Sequence, residues 1–292
     1  MLIGCHGLVW SGVFDPKGFE FALSNTKAVG FDLLEIPLLD PYSMDAEALS
    51  VIQQSYGLPV SASMAQSRDS DITSEDMSCV KAGEAKILHA LKVLSALDGK
   101  YLVGAIFGEL RKYPEPVTKR ARANGQAVMR HVVDVASEAG ITIGIEVVNR
   151  YESNMLNTAR QALDYIDEVG KIGLTVHLDT YHMNIEECDL FTPVLECGER
   201  LGYVHIGENH RGFLGSGSVN FTEFFHALNS IHYNGPVVFE TFSRAVIHKD
   251  LTKMLAVWRD LWDDSTALAT AAHSFMRAGL AGAKQIHTGA AG

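Results

Sequence analysis

The chain reads as an α/β protein, a single-domain (β/α)8 (TIM) barrel over residues 1–292 with residues 263–292 as an extra C-terminal helix and tail. Three observations predict it. A chain of 292 residues, 47% hydrophobic and 20% charged, can bury one large core, as two ordinary domains or one barrel. Short β-prone apolar runs alternate with helix-period segments eight times, with no polar linker between them. Four of those runs end in a carboxylate or an imidazole, Glu146, Asp179, His205 and Glu240. Alternating strands and helices demand right-handed crossovers and a parallel sheet covered on its outer face. A doubly wound sheet is the structural alternative, but no Gly-x-Gly-x-x-Gly follows the first strand.

Leu2 to His6 is the first strand, and Pro16 opens a helical pattern through Phe19, Leu23 and Ala28 that ends near Gly30. Phe31 to Ile36 is the second strand, with Glu35 near its end, and Asp45 caps a helix that runs to Tyr56 and stops at Gly57. Leu58 to Ser63 is the third strand, Ser74 to Leu97 a helix, and Lys100 to Phe107 the fourth strand before a loop, GELRKYPEP. Val117 to Ala139 keeps apolar and alanine positions at three-to-four spacing until Gly140. The fifth strand is Ile141 to Val147, followed by a helix near Thr158 to Val169; the sixth is Leu174 to Leu178, followed by a helix within Asn184 to Arg200. The seventh is Gly202 to Ile206, leading through GENHRGFLGSGSVN to a helix from Phe221 to Ile231. The eighth is Pro236 to Glu240; after Asp250 a helical segment containing Trp258 and Trp262 completes that unit. The Ala-rich stretch from Ala271 to Gly292 reads as an extra helix with a frayed end.

Thirty-five acidic against twenty-four basic residues give a net charge of −11, which repels phosphate backbones and anionic lipid surfaces and argues against a nucleic-acid partner. Cys5, Cys79, Cys188 and Cys197 show no CxxC spacing and read as buried reduced thiols of a cytoplasmic protein. The start, MLIGCHGLVW, is unlike a signal peptide, and no apolar run approaches the roughly 18 to 20 residues that span a bilayer, so no membrane partner is expected.

The run LTVHLDTYHMN shows how the site is laid out: Leu174, Val176 and Leu178 make a buried strand, and Asp179 and His182 fall where it becomes a loop. One aspartate after a strand is most often a turn former or a cap. Four such groups on four consecutive strands of a barrel converge on one quadrant of its mouth. Three carboxylates and an imidazole without thiolates suit Mn²⁺ first, and Mg²⁺ or Co²⁺ as well. His177 reads as a packed histidine of the sixth strand. Glu152, His182 and Arg211 lie in the loops after the fifth, sixth and seventh strands. Two readings stand for them: a polar grip on a row of substrate oxygens, or surface ion pairs such as Glu152 with Arg150.

The strings IEVVNRYE, LDTYHMNIEE, VHIGENHRG and FET resemble the corresponding motifs of the D-tagatose 3-epimerase family, which includes D-psicose and L-ribulose 3-epimerases, within the xylose-isomerase-like barrels. The likeness runs from the first strand to VWRDLW. It implies a divalent ion, Mn²⁺ or Co²⁺, held by Glu146, Asp179, His205 and Glu240. It also implies hydrogen bonds from Glu152, His182 and Arg211 to the O1 to O3 end of a ketose, and a homodimer or homotetramer. Where relatives place aromatic residues at the end of the first strand and in the loop after the fourth, this chain has His6 and GELRKYP, which leaves substrate length open. Trp10 and Phe107 read equally as core or as pocket.

Epimerising a ketose at C3 means removing a weakly acidic proton beside a carbonyl and returning one to the opposite face, which takes two bases. Glu146 and Glu240 fill those roles, and a cation beside O2 and O3 steadies the developing enediolate charge. An aldose–ketose or hydroxypyruvate isomerase is the alternative enzyme on such a barrel. An apurinic-site endonuclease would want more histidines and a basic face. A non-enzymatic sugar-binding barrel would need the grip residues but not two carboxylates flanking one carbon.

Overall fold

Strands made almost wholly of apolar residues are buried on both faces only in a parallel sheet jacketed by helices, and that is where this chain puts them. The computed structural model describes residues 1–289. Strands β1 (Ile3–His6), β2 (Leu33–Pro37), β3 (Val60–Ser63), β4 (Tyr101–Gly104), β5 (Thr142–Glu146), β6 (Leu174–Asp179), β7 (Leu201–Ile206) and β8 (Val237–Phe239) form a closed barrel in sequence order. All neighbours are parallel, and β8 pairs back onto β1. The expected (β/α)8 barrel is therefore present.

The jacket is α1 (Pro16–Val29), α2 (Ala46–Tyr56), α3 (Met77–Ala96), α4 (Lys119–Glu138), α5 (Ala159–Val169), α6 (Thr180–Glu186), α7 (Thr192–Cys197), α8 (Phe221–Ser230), α9 (Lys249–Met254) and α10 (Ser265–Gly289). Their ends follow the capping rules read from the sequence. The Asp15 and Asp45 carboxylates accept from the Gly18 and Ala48 amides, and Thr158 forms a capping box with Gln161. Gly30 and Gly57 close their helices in the left-handed conformation.

The alternation of side chains along a strand stacks two layers inside the bore. Leu33, Val103, Tyr203 and Val238 form an apolar layer. One step nearer the C-terminal rim, two residues on in β2 and β7 and just past β8, come Glu35, His205 and Glu240.

Four expectations need correction. Within the expected Asn184 to Arg200 helix the chain makes two short ones: α6 begins earlier, at Thr180, with Asp179 as its cap, and α7 follows. Asp189, whose carboxylate accepts from the Phe191 and Thr192 amides, supplies the turn between them. Trp258 and Trp262 are not helical: α9 ends at Met254 with Leu255 as its cap, and Ala256 at φ +52° turns the chain. Trp262 then tucks into the core while Trp258 stays exposed. The fourth strand stops at Gly104, whose φ of +112° and approach to the Met64 carbonyl leave no room for a Cβ. Of the cysteines only Cys5 and Cys197 are buried; Cys188 is exposed, and all four are free thiols. The C-terminal helix is present as α10, packed on α8 and α1; the expected frayed end reaches residues 290–292, outside those described.

Candidate active site and metal centre

The strand ends dictate the site. Glu146 closes β5, Asp179 closes β6, His205 is next to last in β7 and Glu240 follows β8. One ligating atom from each lies within 4.8 Å of the other three, and all four residues are buried. His205 Nδ1 is 3.4 Å from Glu240 Oε1 and 3.9 Å from Glu146 Oε1. That nitrogen and Asp179 Oδ2 have no hydrogen-bond partner. An orphaned buried polar atom costs about 1–3 kcal/mol, and a cation seated among these oxygens and the imidazole would remove that cost. The donor set and the orphaned atoms thus fit a hard or borderline divalent ion.

The four residues of the cluster differ in how readily they carry charge. Burial, then the neighbouring Glu240 charge, raises the Glu146 pKa well above the usual carboxylate range. Burial pushes Asp179 up to about 6 against the pull of Arg211. Burial also works on Glu240, but His205 and Arg211 outweigh it and hold that carboxyl well below its ordinary value. Burial lowers the His205 pKa, but Glu35 and Glu240 outweigh it and raise it well above the ordinary imidazole value.

Glu152, His182 and Arg211 ring the same cluster. His182 sits on the first turns of α6 rather than in a loop, with Nε2 3.5 Å from Glu146 Oε1. Its Nδ1 accepts from the Asn149 backbone N–H at 3.1 Å, which leaves the ring proton on Nε2, facing the cluster. Arg211 NH1 is 2.8 Å from Glu240 Oε2 and 3.1 Å from Asp179 Oδ2, the latter outside hydrogen-bond geometry. Its guanidinium packs 3.9 Å over the Tyr181 ring. Gly207 leaves that guanidinium its space, since a Cβ there would come within 2.8 Å of NH1. The alternative ion pair is absent: Arg150 binds Glu186 at 2.7 Å, while Glu152 accepts from Asn149 at 2.8 Å.

His177 is fully buried and packed edge-on against His205 at 4.2 Å, as its place in the strand indicates, while both of its ring nitrogens are unpartnered. Trp10 and Phe107 belong to the core. His6 lines the mouth and is satisfied, Nδ1 accepting from the Leu8 amide and Nε2 meeting Ser63 Oγ at 3.1 Å.

Two residues escaped the sequence reading. Glu35 accepts from the Tyr203 hydroxyl at 2.7 Å and lies 2.9 Å from His205 Nε2. Glu208, fully buried, accepts from the backbone amides of Asn209, Gly215 and Val219 and so shapes the loop that carries Arg211. A carboxylate inside an apolar strand, LLEIP, was the available signal for the first.

The cluster opens into a pocket with about 550 Å³ of empty space, its solvent-open mouth included. Glu146, Glu152, His182, Arg211 and Glu240 make its polar end; Leu39, Met64, Ala65, Leu110, Leu251 and Met254 are among the apolar residues lining the rest. A room with a few convergent polar groups and an otherwise apolar wall suits a small molecule held by one end.

The xylose isomerase-like TIM barrel family matches residues 23–270. The chain is 49% identical to a ketose 3-epimerase of Arthrobacter globiformis over 98% of this chain and 99% of that one. It is 34% identical to a D-psicose 3-epimerase of Agrobacterium fabrum, over 86% of each. Among solved structures it resembles a D-allulose 3-epimerase from Methylomonas sp. in complex with D-allulose, at a TM-score of 0.93 and 45% identity, covering 95% of this chain and 96% of that one. Eight strands, a buried rim cluster of side chains that could hold a metal ion and likeness along nearly the full length agree, and the chain belongs to the ketose 3-epimerase family of the xylose isomerase-like TIM barrels.

Proposed function

We propose that the protein interconverts C3 epimers of free ketoses, of the D-tagatose/D-sorbose, D-fructose/D-psicose or L-ribulose/L-xylulose type. One observation carries the reading: Glu146 and Glu240 project from opposite ends of the β5–β8 arc, yet offer oxygens within 4.8 Å of each other at the polar end of a small-molecule cavity. In this reading Glu146, Asp179, His205 and Glu240 hold a divalent ion, Mn²⁺ by preference and Co²⁺ or Mg²⁺ as substitutes. When bound, the ion would supply positive charge to offset the negative charge that develops as the C3 proton leaves. One glutamate takes the C3 proton while its partner, on the other face of the flattened carbon, returns one; the reverse reaction exchanges their roles. His182 donates from Nε2 and Arg211 from its fork of N–H groups to the O1 to O3 end, and Glu152 accepts from a hydroxyl. Assaying ketose turnover with and without EDTA tests the reading: activity should vanish with the chelator and return with Mn²⁺, and a chelator-insensitive epimerase would contradict it.

The whole of residues 1–292 is proposed to work as one barrel domain, in the cytoplasm, as a homodimer or homotetramer. Four unpaired thiols support the compartment; among the described residues no helix is long and apolar enough to cross a membrane. Phe21, Val51 and Met77, exposed apolar side chains on the neighbouring helices α1, α2 and α3, support the assembly. Light scattering distinguishes the states.

A further inference from the structure

Below the proposed cation seat, the bore of the barrel contains a buried polar chain that the epimerase reaction does not itself require. Glu35, from β2, is fully buried. Its Oε2 accepts the Tyr203 hydroxyl proton at 2.7 Å and faces His205 Nε2 at 2.9 Å, both across the barrel on β7. The Tyr203 oxygen, having given its proton to a carboxylate, accepts in turn from Ser61 Oγ of β3 at 2.7 Å. The other carboxylate oxygen, Oε1, lies 3.4 Å from His6 Nε2 of β1. A tyrosine hydroxyl and an imidazole from β7 and a second imidazole from β1 thus converge on one carboxylate in the interior.

An imidazole has two nitrogens, and the partner of one decides what the other can do. A carboxylate can only accept, so the His205 proton sits on Nε2 against Glu35. With a cation in place of the second ring proton, the lone pair is on Nδ1, the nitrogen that faces Glu146 and Glu240 and has no hydrogen-bond partner of its own. We infer that Glu35 is a positioning residue: it fixes the tautomer and tilt of His205 and so aims Nδ1 at the cation seat, with Tyr203 and Ser61 holding Glu35 in turn. This rests on the reading of Glu146, Asp179, His205 and Glu240 as that seat. Carboxylates hydrogen-bonded behind a ligating histidine both orient the ring and strengthen it as a donor.

Glu35→Gln is the informative change. It keeps the shape and removes the charge. With its carbonyl left on Tyr203 and His205, its amide N–H groups would face His6 Nε2, which also carries a proton because His6 Nδ1 accepts from Leu8. The readout is Mn²⁺ affinity of the chelator-stripped full chain, followed by the electron paramagnetic resonance of free Mn²⁺, with circular dichroism and melting of the metal-free protein alongside. The expected result is a dissociation constant raised about 10- to 100-fold in Glu35→Gln, and about 2- to 10-fold in Tyr203→Phe, which removes only the hydroxyl behind the carboxylate. In the Mg²⁺-loaded wild type, the His205 ring N–H should give a hydrogen-bonded, slowly exchanging proton signal that moves upfield in Glu35→Gln, where a neutral carbonyl replaces the carboxylate.

An Mn²⁺ affinity within about twofold of wild type in a folded Glu35→Gln protein overturns the inference, even if its melting point drops, because a merely structural carboxylate would change only stability. Should that variant not fold, an unchanged affinity in Tyr203→Phe overturns it instead. His205→Ala separates the two levels of the argument. If it binds Mn²⁺ as tightly as wild type, the seat itself is misassigned; if it loses the ion while Glu35→Gln does not, only the role of Glu35 falls.

Discussion

At the residue scale, the strand-end pattern made four polar side chains legible before any coordinates, because a parallel barrel places every C-terminal strand end on one rim; Glu152, His182 and Arg211, in the loops beyond, were left open between a substrate grip and surface ion pairs. The structure brings all seven to one cluster or its edge. Glu35 was not singled out because its partners lie 168 and 170 residues away across the bore, a proximity that no local pattern encodes. Under the proposed division of roles, Asp179→Asn or His205→Ala should weaken Mn²⁺ binding by more than about 100-fold and abolish turnover together, since each removes a donor. Elemental analysis of the purified variants checks this, and full metal occupancy with full turnover in either one contradicts it. Arg211→Ala should behave differently, lowering kcat/KM about 10- to 100-fold through loss of charge-assisted hydrogen bonds to substrate while the ion stays bound. Removing its positive charge from beside Asp179 and Glu240 leaves the cluster more negative, which favours a cation. Loss of the ion in this variant, or unchanged kinetics, would overturn the separation.

At the element scale, helix ends were read closely because caps are local: Asp45 and Gly57 bracket α2 as the sequence indicates. The segment after Asp250 was misread because its apolar spacing resembles a helix, whereas tertiary contacts decide its path. Leu251, Met254 and Leu255 turn inward to wall the mouth, and the Ser243 hydroxyl donates to the Trp262 carbonyl to hold the return of the chain. The loop after β7 shows the same principle. Glu208 gathers three backbone amides, and the Thr241 hydroxyl donates to the Arg211 carbonyl, so that Arg211 is held at φ +58° although it is not glycine. Glu208→Ala should therefore cost about 1–3 kcal/mol of stability, chiefly by leaving the buried Val219 amide without its acceptor. It should also raise KM for ketose more than it lowers Mn²⁺ content, because Arg211 loses its fixed position. Thermal melting and steady-state kinetics read these effects; a variant with wild-type KM would show that the loop is held by other contacts.

At the scale of the whole molecule, the barrel was the most legible feature, since eight repeats of one pattern outweigh errors of two or three residues at each boundary. What the pattern could not show is how the bore is filled, with an apolar layer below and a charged layer above. The charged layer ties metal binding to the fold. If the ion bridges β5, β6, β7 and the end of β8, Mn²⁺ at a hundredfold excess over its dissociation constant should stabilise the native barrel by about 2.7 kcal/mol, a rise in melting temperature of roughly 5 °C. Differential scanning calorimetry with Mn²⁺ and with EDTA would show it, and identical melts would place the ion outside the barrel rim. The central claim concerns the bond that is broken, and the most direct measurement is turnover of a ketose in deuterated water, with the recovered sugar read by NMR. A carboxylate that takes the C3 proton can exchange it with solvent before the partner delivers one to the other face, so deuterium is expected at C3 of the epimeric product. Deuterium found only at C1, with an aldose formed and C3 untouched, would contradict the assignment and identify an aldose–ketose isomerase.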